Sequence, residues 1–197
     1  NAGLTSQLGD LRKPPIPVEV TAYVDGFVAD VHPEEGAIIE TWGSFIQGIF
    51  GVGGETNGPI RVVASSKDQL FTPDLVPADA KGQILVGGSR VAIETIDKAR
   101  EVGAAGIISA GFDDQDLRTL LGRDLGVAIT GQEKLGITVI LTEGFGEIAM
   151  AARTFNLLKE NEGQTASING ATQIRAGVIR PEIVIPKLDE EKPADDD

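Results

Sequence analysis

The sequence predicts an α/β fold in which a small β-barrel or sandwich precedes a three-layer, Rossmann-like parallel sheet. Three observations predict it. Short β-branched runs separated by glycine turns crowd residues 18–64, as in small barrels and sandwiches. From residue 81, apolar strands alternate with amphipathic stretches of helix length, the rhythm of parallel strands joined by crossover helices. A chain of 197 residues with 41% hydrophobic and 24% charged side chains is also large enough to bury such a core.

Residues 1–16 read as a linker ending in the stiff Lys13-Pro14-Pro15. Residues 17–80 read as the barrel or sandwich domain. There Val18, Val20 and Ala22 alternate with Glu19 and Thr21. A turn at Asp25-Gly26 leads to a second strand from Phe27 to Val31, and strands from Ala37 to Thr41 and Ile60 to Ala64 follow. Residues 81–186 read as the α/β domain. A strand from Gln83 to Val86 leads through Gly87-Gly88-Ser89 to a helix carrying Val91, Ile93, Ile96 and Ala99 on one side and stopping at Gly103. Next come a strand from Ala105 to Ser109 and a short helix capped by Asp113 or Asp114, through Leu117, Leu120 and Leu121. Strands at 127–129 and 137–141 precede a helix from about Gly146 to Lys159 that buries Ile148, Ala152, Phe155 and Leu158. Strands at 165–168, 173–175 and 182–185 either extend this sheet or return to the barrel. Residues 187–197 carry six acids and two lysines and read as an acidic disordered tail.

Gly26, Val28, Val31, Gly36, Ile39 and Gly43 are spaced in a way that resembles the biotinyl/lipoyl-like barrel-sandwich hybrid domains. The resemblance covers about residues 18–45 and implies β-branched side chains pointing into a narrow core. Carriers of that family hold a modified lysine in a hairpin. The segment from Ser44 to Gly54 has no lysine, so the resemblance implies the barrel without a swinging-arm carrier.

Composition excludes several chemistries. With no cysteine, disulfides, thiolate metal sites and cysteine nucleophiles are impossible, and His32 alone cannot build a multi-histidine site. His32 sits in a stretch that reads as a solvated turn, so no catalytic residue and no metal ligand is assigned. A divalent cation held by carboxylates stays open, with 30 acidic residues available. The net charge of −13 repels phosphate backbones and anionic lipids, so neither nucleic acid nor a membrane is an expected partner of this chain. Self-association or another protein is. No stretch has the ~20 apolar residues a spanning helix needs. A cytoplasmic location is the expectation, with a tag scar at Asn1-Ala2 and a longer natural chain upstream left open.

Two glycine-rich stretches invite a binding role. Gly51-Val52-Gly53-Gly54 opens no helix and reads as a flexible connection, with Phe45, Ile46, Ile49 and Phe50 nearby either in their own barrel or docked on another subunit. Gly87, Gly88, Ser89 and Arg90 follow a strand and open a helix, where free amides and a guanidinium could meet an anion. Asp113, Thr142 and Glu143 follow other strands and should share the same rim, beyond the carboxyl ends of a parallel sheet. These residues are the candidate ligand site, set against a plain reading as caps and turns. The Asn169-Gly170 pair reads as a hairpin turn. The expected function is a non-enzymatic binding or assembly module without a cofactor. The alternative is a small-molecule or nucleotide-binding enzyme domain using the rim.

Overall fold

A computed structural model describes residues 22–113, 115, 116, 119, 136–172 and 179–188. The linker, the strand at 18–20, the helix through Leu117, Leu120 and Leu121, the strands at 127–129 and 173–175, and the tail beyond Leu188 lie outside the described residues.

Eleven strands and two α-helices are described. A hairpin of β1 (Phe27–His32) and β2 (Gly36–Glu40) forms a sheet of its own. The second sheet has nine strands: β3 (Gly43–Gln47), β4 (Phe50–Val52), β5 (Glu55–Val62), β6 (Ile84–Val86), β7 (Arg90–Val91), β8 (Gly106–Phe112), β9 (Thr138–Phe145), β10 (Thr165–Asn169) and β11 (Glu182–Pro186). The helices are α1 (Ile93–Glu101) and α2 (Ala152–Glu160).

The fold is therefore mostly sheet, with two helices, and the large sheet is mixed. Its order is β3-β11-β10-β5-β6-β8-β9-β4, with β7 beside β8. Strands β6, β8 and β9 are parallel, as the alternation from residue 81 predicts, and β5, from the stretch read as barrel, runs parallel beside β6. The rest of the path is antiparallel. β5 joins the two halves, since Glu55–Pro59 pairs with β10 while Ile60–Val62 pairs with β6. The boundary expected near residue 80 thus falls between hydrogen-bonded neighbours of one sheet. Of the two placements left open for the last strands, the described ones pair with early strands: β10 lies on β5 and β11 on β3, in the same sheet as β6, β8 and β9.

The ends of the path, β3 and β4, are consecutive in the chain and separated by Gly48 and Ile49 alone. Successive amides of an extended strand point to opposite edges. Gly48 N donates to Pro181 O at 2.8 Å, and Ile49 N to Leu141 O at 2.8 Å. One stretch of chain thus bridges β11 and β9, and the sheet closes on itself. This corrects the reading of Gly51-Val52-Gly53-Gly54 as a flexible connection, since Gly51 and Val52 belong to β4. Gly51 serves close packing: a Cβ on it would lie 2.7 Å from Gly170 O and 2.9 Å from Pro181 Cβ.

Both faces of the parallel strands are buried, which explains their near-continuous apolar runs. Leu85, Ile107, Val139 and Leu141 pack with Ile96 and Ala99 of α1. Ile84, Val86, Ile108 and Ile140 pack with Ile60, Ile168, Ile183 and Ile185 and with Phe155 and Leu158 of α2.

Two helix starts differ from the sequence reading. α1 begins at Ile93, because Arg90 and Val91 first form β7 against Gly111 and Phe112. α2 begins at Ala152, because β9 runs on to Phe145 beside β8. Ile148, expected in the core, precedes the helix and is exposed. Ala152 is exposed too.

Candidate functional site

Gly87, Gly88 and Ser89 leave β6 and run under the segment 66–69. Gly87 N donates to Ile108 O and Ser89 N to Gln69 O, both at 2.8 Å. The Ser89 carbonyl accepts from the Ser109 hydroxyl, and Ser89 is buried. A Cβ on Gly88 would strike the Ser66 carbonyl and lie 2.8 Å from Gln69 O. These glycines let one backbone cross beneath another. The anion cradle foreseen at this turn needs helix amides, and β7 stands between Ser89 and the helix.

Arg90 is half-buried in β7, and its guanidinium makes no hydrogen bond or ion pair among the described residues. Thr142 and Glu143 lie within β9 rather than in a turn. Glu143 Oε1 accepts from Ala151 N at 2.9 Å, which holds the residue preceding α2, and the Thr142 hydroxyl is 3.5 Å from the same oxygen. Asp113 Oδ1 accepts from Gln115 N at 2.8 Å and Asp116 N at 3.4 Å, a local cap. Cross-strand pairing of Arg90 with Gly111 and of Gly111 with Gly144 puts these segments on one rim, as expected. Asp113 Oδ1 and Glu143 Oε1, however, already accept from nearby backbone amides, and the Ser89 backbone is bonded to Gln69 and to the Ser109 hydroxyl.

Two other polar places emerge only in the fold. Ser44, Phe45, Arg153, Asn156, Leu157 and Glu160 line an open groove of about 470 Å³ between β3 and α2. Gln47, Glu182, Asn169 and Glu55 form a row across β3, β11, β10 and β5. Tyr23 lies against that row. Burial, then the charges of Glu182 and Glu55, hold its phenol well above the usual tyrosine range. Among the described residues, no group of three or more His, Asp or Glu side chains is arranged to hold a metal ion. No described helix is long and apolar enough to cross a membrane.

The most distinctive surface is the β1–β2 hairpin. Val28 pairs with Ile39 and Val31 with Ala37, so these four share one face. Phe27 pairs with Glu40 and Asp30 with Ile38 on the other, and the register slips by one residue at Ala29. Val28 is 60% exposed and Val31 62%, and Phe27 and Ile38 are about half exposed. The resemblance to hybrid barrels implies that these valines fill a core. Here the hairpin has no second layer among the described residues, and they face outward. At its base the Phe27 ring stacks on Trp42, with centroids 5.0 Å apart and planes 5° from parallel.

The fold and these surfaces define a mixed-sheet protein with a closed sheet and an appended apolar hairpin. Comparison with known proteins found no matching family model and no matching curated protein.

Proposed function

We propose that the chain is a non-enzymatic binding or assembly module that works through its β1–β2 hairpin. One observation carries the reading: four apolar side chains, Val28, Val31, Ala37 and Ile39, share a hairpin face on which both valines are more than half exposed. Contiguous exposed apolar surface of this kind usually marks a contact with another macromolecule. The bonds of Asp113 Oδ1 and Glu143 Oε1 to backbone amides support it from the other side, since each ties a rim carboxylate to its own loop or helix start.

The test uses Val28→Thr combined with Val31→Thr, which keeps shape and strand propensity while removing apolar surface. Each exposed substitution should change stability by no more than about 0.5 kcal/mol. Binding of the neutral dye Nile red should fall sharply in the double variant. A large loss of stability would mean that the valines are already buried, and the reading fails.

A second reading, a small-molecule site at the rim, is favoured by the Arg90 guanidinium, which makes no hydrogen bond or ion pair among the described residues. A thermal-shift screen of nucleotides, sugar phosphates, carboxylates and divalent ions separates the two. A ligand at ~100 times its dissociation constant stabilises by about 2.7 kcal/mol. A hit that Arg90→Ala abolishes would favour the rim.

A further inference from the structure

We infer that the free edge of β2 takes up an extended protein segment in which apolar side chains alternate with lysine or arginine. This rests on the hairpin being the working surface and adds the chemistry of what it binds. Three features of the hairpin carry it.

The first is charge. From residue 22 to residue 60 the chain holds no lysine or arginine, whereas Asp25, Asp30, Glu34, Glu35 and Glu40 are all exposed on or beside the hairpin. His32 is the one basic side chain there, and it lies 3.4 Å from Asp30 Oδ2. A surface that is apolar at its centre and carboxylate-fringed attracts Lys- or Arg-bearing chains. It repels phosphate backbones, anionic lipids and a second copy carrying the same charges.

The second is the edge. β1 and β2 make a two-stranded sheet, and the backbone of β2 has no other strand partner among the described residues. The slip at Ala29 puts a bulge in β1, which blunts that strand as a template, while β2 keeps a regular register over five residues. An incoming strand therefore pairs with Gly36–Glu40.

The third is the pleat. On β2, Ala37 and Ile39 face the apolar side, and Ile38 and Glu40 the side that also carries Asp30. A strand added there sends alternate residues to each face. Apolar residues extend the Val28–Ile39 face, and basic ones meet Glu40 and Asp30 on the other. An alternating apolar and basic segment satisfies both faces at once.

The experiment titrates the protein with a six-residue peptide of alternating valine and lysine. Trp42, the single tryptophan, reports from the base of the hairpin, and hydrogen exchange reports the β2 amides. Controls are a valine–glutamate peptide, a serine–lysine peptide, and the valine–lysine peptide N-methylated at alternate residues. Saturable binding of the first alone is expected, with new protection of those β2 amides that point away from β1. Affinity should fall at least tenfold between 50 and 500 mM salt, and at least tenfold in Asp30→Asn with Glu40→Gln, which preserves side-chain shape. Equal binding of the glutamate peptide overturns the charge assignment, and equal binding of the N-methylated peptide overturns strand addition. So does protection, before peptide is added, of the β2 amides that point away from β1, a native-mass dimer that Val28→Thr with Val31→Thr dissociates, or hairpin-dependent binding to anionic vesicles or duplex DNA. If Nile red still reports the open face while the valine–lysine peptide fails to bind, the module reading stands and this inference falls. If neither probe binds, both fall.

Discussion

Val28 and Val31 in β1 and Ile183 and Ile185 in β11 are β-branched residues in strands of similar length, six residues and five. The isoleucines are wholly buried, while the valines are 60% and 62% exposed. The difference lies in the neighbours. β11 has β3 on one edge and β10 on the other, and its isoleucines meet the parallel strands across the core. Among the described residues β1 has β2 alone. A strand's own pattern prepares a face for burial, but only a second layer buries it. The apolar face of the hairpin has none among the described residues, and that of β11 has one.

The sharpest way to break this comparison is to truncate an apolar residue in each region. Ile140→Ala empties a fully buried site in β9 and should cost about 2–5 kcal/mol in urea unfolding. Val28→Ala should stay within about 0.5 kcal/mol. Similar costs at both positions would mean that the hairpin is packed and that the two regions are alike.

The closing seam comes next. Gly51→Ala pushes a methyl group against Gly170 O and Pro181, and overpacking of this kind should cost about 1–3 kcal/mol. An unchanged urea midpoint would show that the sheet does not close tightly there. A smaller loss is expected at the rim. Glu143→Ala removes the acceptor for Ala151 N–H and should cost about 0.5–1.5 kcal/mol, the usual net worth of a hydrogen bond. Glu143→Gln keeps an acceptor oxygen and should recover most of it. If instead both variants leave stability alone but weaken a ligand found in the screen, the rim is a binding site after all.

The last effect is confined to alkaline pH. The raised pKa of Tyr23 means that the folded chain holds the phenolic proton more tightly than the unfolded chain does. Below about pH 10, where an unfolded tyrosine titrates, both states keep the proton and stability does not depend on it. Above that, the unfolded state loses the proton first, so stability falls as pH rises. Tyr23→Phe should remove that part of the alkaline loss and leave neutral stability nearly unchanged. An identical alkaline decline in both proteins would place Tyr23 away from the Glu182 and Glu55 row.

Much of the local structure is legible in the residues. The runs at Ile84-Leu85-Val86 and Ile107-Ile108 are apolar at every position, and both become buried strands. Ile93, Ile96 and Ala99 recur at helical spacing, and α1 buries all three. The rim was half legible. The order of strands placed Arg90, Asp113 and Glu143 near one end of the parallel strands, and the cap read at Asp113 is local, but the bond from Ala151 N–H to Glu143 was not legible. That bond depends on where α2 starts, and that start depends on how far β9 pairs with β8. The glycines of Gly51-Val52-Gly53-Gly54 suggest flexibility when read alone. The close approach of Gly170 that they allow comes from a residue more than a hundred positions later.

By itself the sequence determined the cysteine and multi-histidine chemistry that cannot occur here, the parallel strands and the helix between them, and the net charge of −13. Composition and periodicity are local properties, and these conclusions need nothing more. Tertiary structure alone decided that the early and late strands share one sheet, that β3 and β4 close it, and that the hairpin valines face outward. Each of these depends on pairing between residues distant in the chain. The apolar alternation that buries Ile183 is indistinguishable, as a pattern, from the one that exposes Val28.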